Sequence, residues 1–389
     1  MDLTGTIETP LRDEEAAWMR ELLAELGRVA TTARFDVAPN PCVGAAVVSN
    51  GVEIARAIHA RWGELHAEPL ALEAARASGV PRERWDTLVV TLEPCSTVGK
   101  TPSCVEAIRA AGIRRVVVGA LDPDARHRGR GLELLHQAGV EVVHLRGAAP
   151  LETVAPHFLR WTAQERIRRA HPWVIAKWAQ TRTGQLSPPE EVGGGRWISG
   201  RDSQSRVQLL RGRVDAIVTG SGTVLSDDPR LTVRPPGDVA RAPLRIVLDT
   251  ELRTPPDARL LRPAQGEERG GPVHLFARPG ADGARHRALE RAGAVIHTVR
   301  PGDDGRPSLR EVSSWMWGAG VRRALLEAGP RLIEAWFRAE LVDQVAIYTG
   351  NVNGGRGPSL ANLLRLERLE GVRHEEVGED SLLEAFLPR

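Results

Sequence analysis

Four residues of metal and proton chemistry stand out in the first third of the chain: His66, Cys95 and Cys104, with Glu68 two residues after the histidine. An imidazole and two thiolates are borderline-to-soft donors, a set that suits zinc. Three protein ligands leave the fourth tetrahedral position for water, the arrangement of a catalytic rather than a closed structural site. Zinc draws the pKa of such a water toward neutrality. Glu68 is then placed to take its proton and hand it to a leaving amine. Two plainer alternatives stand beside this: His-Ala-Glu on its own is common without catalytic meaning, and Cys42 could pair with either of the other cysteines.

The flanking sequence predicts how these side chains could converge. Residues 87–92 form an apolar run that predicts a buried strand leading into Pro94-Cys95. Residues 66–78 carry helical spacing in Leu70, Leu72, Ala74 and Ala75, closed by Gly79. One ligand at a helix start and another at a strand end can meet. His-x-Glu followed by Pro-Cys and a second Cys is the grammar of zinc deaminases of nucleobases, which place two residues between the cysteines; here eight intervene.

Around this core the pattern alternates. Asp13-Glu14-Glu15 puts negative charge at a helix start, followed by an apolar face of Ala16, Met19, Leu22, Leu23, Leu26, Val29 and Ala30. Pro39-Asn40-Pro41-Cys42 is a turn, 43–48 a buried strand, and Ser49-Asn50-Gly51 a hairpin turn into a second strand ending near His59. A helix from Pro102 to Ala111, a strand at 115–119, a helix at 131–138 and a strand at 140–144 follow. This predicts α/β layers, with the sheet largely parallel in its later part. Residues 146–171 break the rhythm with Gly147, Pro150, Pro156 and four arginines (Arg160, Arg166, Arg168, Arg169). The expected division is a domain at 1–147, a helical connector at 148–170 and a second domain at 171–389.

The second domain restarts with a strand at 173–179. Residues 183–195, rich in Gly and Pro, predict a mobile loop. A helix at 203–212 and strands at 214–219, 244–248, 273–277, 294–299, 323–326 and 345–349 follow. Residues 253–271 read as loop. Gly220-Ser221-Gly222 and Glu327-Ala328-Gly329-Pro330 both sit where a strand gives way to a turn. Glycine there lets backbone N–H groups approach a phosphate. The third glycine of the dinucleotide fingerprint is missing, so a nucleotide site and plain turn glycines both remain open. Lys177, Arg211 and Arg234 are candidates for an anionic substrate, Arg by its match to phosphate geometry, with ordinary surface charge as the alternative.

Size and composition exclude several classes. The chain has 389 residues, 52 Lys+Arg against 50 Asp+Glu, and a formal charge of +2, which is no footprint of a nucleic-acid binder. Three cysteines argue against a disulfide framework. The start is acidic (Asp2, Glu8, Asp13) rather than basic and apolar, and no apolar run reaches membrane-spanning length. A cytoplasmic location is expected, without membrane or nucleic-acid partners. Ten tryptophans against one tyrosine have no functional explanation and predict packing roles.

Taken together, His66-Ala67-Glu68, residues 91–104, Pro39-Asn40-Pro41-Cys42-Val43-Gly44, residues 222–234 and Glu327-Ala328-Gly329-Pro330 resemble the bifunctional deaminase/reductase family of riboflavin biosynthesis, in the family's order. That resemblance implies a cytidine-deaminase-like three-layer α/β/α domain followed by a dihydrofolate-reductase-like α/β domain. It implies hydrolysis of the 2-amino group of a diaminopyrimidinone ribosylamino 5′-phosphate, then NADPH-dependent reduction of the ribosyl group to ribityl. By position it implies His66, Cys95 and Cys104 on zinc, Glu68 as proton shuttle, and Asn40, His59 and Lys100 in the deaminase pocket. Ala179, Trp197, Thr223, Asp227 and Gly329 match NADP-contacting positions. Arg211, Leu231, Arg234 and Glu327 match substrate-contacting ones, with Lys177 beside them. The expected partners are a phosphorylated pyrimidine and further copies of the chain. This sequence departs from the family at Thr97 (usually His), Asp124 (usually Asn), Thr181-Arg182-Thr183-Gly184 and Gly195 (usually Ser).

Overall fold

Where helix and strand signals alternate, the chain builds two sheets of different character. The computed structural model describes residues 11–99, 102–163, 171–190, 198–237, 242–364 and 366–387. The chain divides into two compact units, Met1–Ile167 and Arg168–Arg389.

In the first unit the strands are β1 (Gly44–Ser49), β2 (Val52–Ile58), β3 (Thr87–Val90), β4 (Arg115–Val118) and β5 (Glu141–His144). Their order in the sheet is β2-β1-β3-β4-β5. β1 runs antiparallel to β2 and β3, whereas β3, β4 and β5 are mutually parallel. Asn50 and Gly51 join β1 to β2 with φ of 50° and 76°, the left-handed pair that a two-residue hairpin favours. β1 and β3 are buried along their whole length, as expected of strands covered on both faces. The helix Asp13–Ala30 turns Met19, Leu22, Leu23, Leu26 and Ala30 into that core. The helices Ala67–Ala77, Cys104–Ala111 and Arg130–Gln137 carry the crossovers. Gly112, at φ 73°, ends the second of them.

The helices Leu151–Val154 and Pro156–Ala163, in the stretch expected to be a connector, belong to the first unit. Leu151, Val154 and Ala155 are part of its hydrophobic core. Pro156 opens its helix rather than interrupting one, because a first-turn residue has no N–H obligation to lose.

In the second unit the strands are β6 (Trp173–Gln180), β7 (Gln185–Ser187), β8 (Ala216–Gly220), β9 (Leu244–Leu248), β10 (Val273–Ala277), β11 (Ala294–Thr298), β12 (Arg323–Leu326), β13 (Gln344–Thr349), β14 (Arg356–Ser359), β15 (Glu370–Val377) and β16 (Asp380–Phe386). Nine of them form one sheet, β11-β10-β9-β8-β12-β6-β13-β16-β15. From β11 to β13 every neighbour is parallel; β16 and β15 then add an antiparallel hairpin. The chain moves outward through β8 to β11, then returns to insert β12 between β8 and β6. The carboxyl ends of β8, β12 and β6 therefore flank a switch in strand order, where open α/β sheets bind ligands. The expected loop at 183–195 is in part ordered structure, since β7 pairs with β14 as a separate ribbon; residues 191–195 lie outside the described residues. Buried tryptophans pack these cores: Trp85 in the first unit, and Trp173, Trp178 and Trp336 in the second.

Candidate active sites

His66 is the N-cap of the helix Ala67–Ala77, and Glu68 lies in its first turn. Cys104 is the first residue of the helix Cys104–Ala111, and Cys95 follows β3. The strand end and the two helix starts bring these side chains together. His66 Nδ1 lies 3.6 Å from Cys95 Sγ and 3.3 Å from Cys104 Sγ, and all three ligand atoms fall within 4.8 Å of one another. Tetrahedral zinc with bonds of roughly 2.05 Å to nitrogen and 2.3 Å to sulfur sets N and S about 3.6 Å apart. The spacing therefore fits the ion.

The electrostatics fit as well. The Cys95 thiol is pushed well below its ordinary value by the hydrogen bond from the Cys104 thiol, with His66 and the Cys104 N–H adding to this against burial. The backbone N–H of Cys104 points at Cys95 Sγ from 3.4 Å. The shared proton and burial push Cys104 the other way. A thiolate formed at a helix start is a donor ready for a cation. Glu68 is 3 % exposed, and burial raises its carboxyl. Its Oε2 is buried without a hydrogen-bond partner, an orphaned acceptor of the kind a bound water or substrate amine would satisfy.

Asn40 and His59 form one wall of this site. His59 Nδ1 donates to Leu65 O at 3.0 Å, which leaves Nε2 to accept from Asn40 Nδ2 at 3.2 Å. The His59 ring stands edge-on to His66 with centroids 5.1 Å apart. Burial, with the His66 charge second, pulls His59 down to about 4, so it is neutral. The buried His157 donates from Nε2 to Asn40 O at 2.8 Å and steadies the turn from behind. Cys42 is a free, fully buried thiol, pushed up to about 12 by burial; it is a core side chain, not a ligand. Lys100 lies outside the described residues.

In the second unit the charged candidates meet at the carboxyl ends of β6 and β12. Arg211 grips Glu327 with two hydrogen bonds, Nε to Oε1 at 3.0 Å and Nη2 to Oε2 at 2.5 Å. Arg211 Nη1 also donates to Thr232 O at 3.1 Å, and Arg234 N donates to Gln208 Oε1 at 3.0 Å. Lys177 lies in β6 with its Nζ 5.7 Å from the centre of the Tyr348 ring. Burial alone would raise the Glu327 carboxyl, but Arg211, then Lys177 and Arg234, hold it at about 2. Burial pulls Lys177 below its ordinary value, with Glu327 opposing. Ala179, two residues on in β6, shares the face of Lys177. Leu231 is buried and sits at φ 53°, a left-handed conformation uncommon for a branched side chain.

The glycine turns are drawn together by one hydrogen bond, from Gly329 N to Thr223 Oγ1 at 3.1 Å. Gly329 is the N-cap of the helix Pro330–Arg338. Thr223 lies in the helix Ser221–Asp227, whose last residue is the exposed Asp227. Trp197 and Gly195 lie outside the described residues. The sequence assigned no role to several residues found here: Gln208, Thr232 and Tyr348 in this unit, and Glu93 and Asp122 beside the cysteines. Only Glu93 had a local sign, an acid directly after a six-residue apolar run and next to Pro94-Cys95.

Comparison with known proteins identifies the family to which each unit is similar. The family profile described as the cytidine and deoxycytidylate deaminase zinc-binding region matches residues 16–120, and that described as the RibD C-terminal domain matches residues 172–383. The riboflavin biosynthesis protein RibD of Escherichia coli (strain K12) is 34% identical over 361 residues, covering 89% of this chain and 92% of that protein. Its counterpart in Aquifex aeolicus (strain VF5) is 31% identical over 353 residues, with the same coverage of 89% and 92%. Among solved structures, Acinetobacter baumannii RibD superposes with a TM-score of 0.64 at 25% identity, covering 97% of this chain and 99% of that one. A Thermotoga maritima structure titled as a diaminohydroxyphosphoribosylaminopyrimidine deaminase/5-amino-6-(5-phosphoribosylamino)uracil reductase gives 0.64 at 26% identity, covering 95% and 99%. The chain belongs to the RibD family of riboflavin biosynthesis, an enzyme that joins a zinc-dependent deaminase to an NADPH-dependent reductase.

Proposed function

We propose that His66, Cys95 and Cys104 hold the zinc and that Glu68 carries the protons of the deamination. One observation supports this above the rest: an imidazole nitrogen and two thiol sulfurs lie within 4.8 Å of one another, with a buried carboxylate oxygen unpartnered nearby. Zinc bound there supplies a water acidified toward neutral pH. Glu68 takes the proton of the attacking water and delivers it to the departing amine. His59 stays neutral and holds the Asn40 amide in place, so that Asn40 presents a fixed hydrogen-bonding edge to the pyrimidine ring. Lys100 is assigned to the same substrate by its position in the family motif alone.

The substrate in this reading is 2,5-diamino-6-ribosylamino-4(3H)-pyrimidinone 5′-phosphate, deaminated in the first unit and reduced in the second. Ala179, Trp197, Thr223, Asp227 and Gly329 are assigned to NADPH, which supplies the hydride; the protein orients it. Lys177, Arg211, Leu231, Arg234 and Glu327 are assigned to the phosphorylated substrate. The meeting of Lys177, Arg211 and Glu327 beside the switch in strand order supports that placement. Assembly into a homo-oligomer belongs to the same reading; light scattering at a multiple of 42.3 kDa would bear it out. A cytoplasmic location is supported by three free cysteines. Among the described residues no helix is long and apolar enough to cross a membrane.

Cys104→Ser tests the ligand set. Zinc should fall from about one per chain to under a tenth, and ammonia release from the diaminopyrimidine phosphate should stop with it. Full zinc and full ammonia release in that variant would sink the assignment.

A further inference from the structure

We propose that Glu93 is a positioning residue for the metal site: through backbone hydrogen bonds alone, it fixes the segment that carries Cys95. The proposal rests on the zinc assignment above. Glu93 is 6 % exposed, and among the described residues no cation pairs with it. Its carboxylate instead accepts three backbone N–H groups. Oε2 takes those of Asp122 at 3.2 Å and Gly129 at 2.8 Å, and Oε1 takes that of Gly131 at 3.0 Å.

Two of these donors open the helix Arg130–Gln137. Gly129 is its N-cap, at φ 79°, and has no side chain to cap the helix. First-turn N–H groups have no partner within their own helix. Glu93 therefore supplies, from another segment, the cap that the local sequence lacks. A negative group at that end is also favoured by the helix dipole.

The grip is transmitted to the ligand because the helix start lies directly on the ligand segment. A Cβ added at Gly131 would stand 2.1 Å from Pro94 O. Upstream, Glu93 N donates to Ala120 O at 2.9 Å. Downstream, Cys95 O accepts from Ser103 Oγ at 3.0 Å and from Val105 N at 3.2 Å. Cys95 is thus held on one side by the second ligand helix and on the other by Glu93 and the helix Arg130–Gln137. Removing Glu93 releases one of those two sides.

Glu93→Gln removes the charge and puts an NH2 where one carboxylate oxygen stood. In its best orientation the amide still faces Gly131 N–H donor to donor. Glu93→Asp keeps the charge but is one methylene short. Outer partners that orient ligands typically cost 10–100-fold in metal affinity when lost. The test is zinc release from the full-length, zinc-loaded chain to a chromogenic chelator, with NADPH oxidation followed as a check on the second unit. The expected result is release roughly 10–100-fold faster in Glu93→Gln, a smaller increase in Glu93→Asp, and unchanged NADPH oxidation. Val142→Ala, in the core of the same unit, controls for general loosening, since it should melt earlier yet keep the wild-type release rate. Wild-type release in both Glu93 variants overturns the proposal, as does equally fast release from Val142→Ala at a matched melting temperature. A wild-type chain that holds no zinc overturns the ligand assignment itself, and this proposal with it.

Discussion

Glu68 is buried with one carboxylate oxygen, Oε2, left without a partner. It forms no ion pair among the described residues. The unpartnered oxygen makes sense only if something polar is to arrive there. Glu68→Gln should therefore lower kcat for ammonia release by at least about 100-fold, with zinc content and NADPH oxidation unchanged; a loss under tenfold would remove Glu68 from the proton path. In the other unit, Glu327 links charge to stability. Its carboxyl falls from an ordinary 4.5 to about 2 in the folded chain. A depressed carboxyl stabilises the fold fully above the unfolded value and loses that contribution as pH falls through the folded one. Two and a half pH units are worth roughly 3 kcal/mol, lost between about pH 4.5 and pH 2. Urea unfolding of wild type against Glu327→Gln should show a gap that narrows over that range; a gap independent of pH would contradict it. The cluster of His66, Cys95 and Cys104 was legible in the sequence because its residue types and spacing are themselves the signal. The Arg211–Glu327 pair was not, since its partners stand 116 residues apart and only the folded sheet brings them together.

Single elements owe their positions to groups outside them. Arg245, in β9, is 8 % exposed and donates to three carbonyls: Gly271 O at 2.8 Å, Leu260 O at 2.5 Å and Arg230 O at 3.3 Å. The last of these belongs to the residue before Leu231, whose left-handed backbone needs such support to persist. Arg245→Met should free that loop. The reductase kcat/KM should fall roughly tenfold to a hundredfold, mainly through KM, with ammonia release unchanged. Unaltered reductase kinetics would show that Leu231 is held by other means. Most elements were legible from periodicity, and several strands match their predicted bounds. Of the strands not predicted, β15 was missed for a physical reason. β15 is an edge strand rich in charge, Glu370-Gly371-Val372-Arg373-His374-Glu375-Glu376-Val377, with much of it exposed, so it lacks the apolar run that marks a buried strand. β7 is only three residues long and exists by pairing with the distant β14.

At the scale of the whole chain, two chemistries occupy two compact units. His66, Cys95, Cys104 and Glu68 lie in one, the Lys177–Arg211–Glu327 group in the other. The order of the two motif sets along the sequence made this organisation legible. The contacts that brace these groups, such as Glu93 with Gly129 and Arg245 with Leu260, were not, because their partners meet only in the folded state. Separate sites predict separable activities. The most direct measurement follows ammonia release and NADPH oxidation in one preparation, zinc-loaded and then stripped by a chelator, supplying the diaminopyrimidine phosphate for the first step and its deaminated product for the second. The account predicts that stripping abolishes ammonia release, that zinc restores it, and that NADPH oxidation with the deaminated product continues throughout. Ammonia release that persists in zinc-free chain would contradict it.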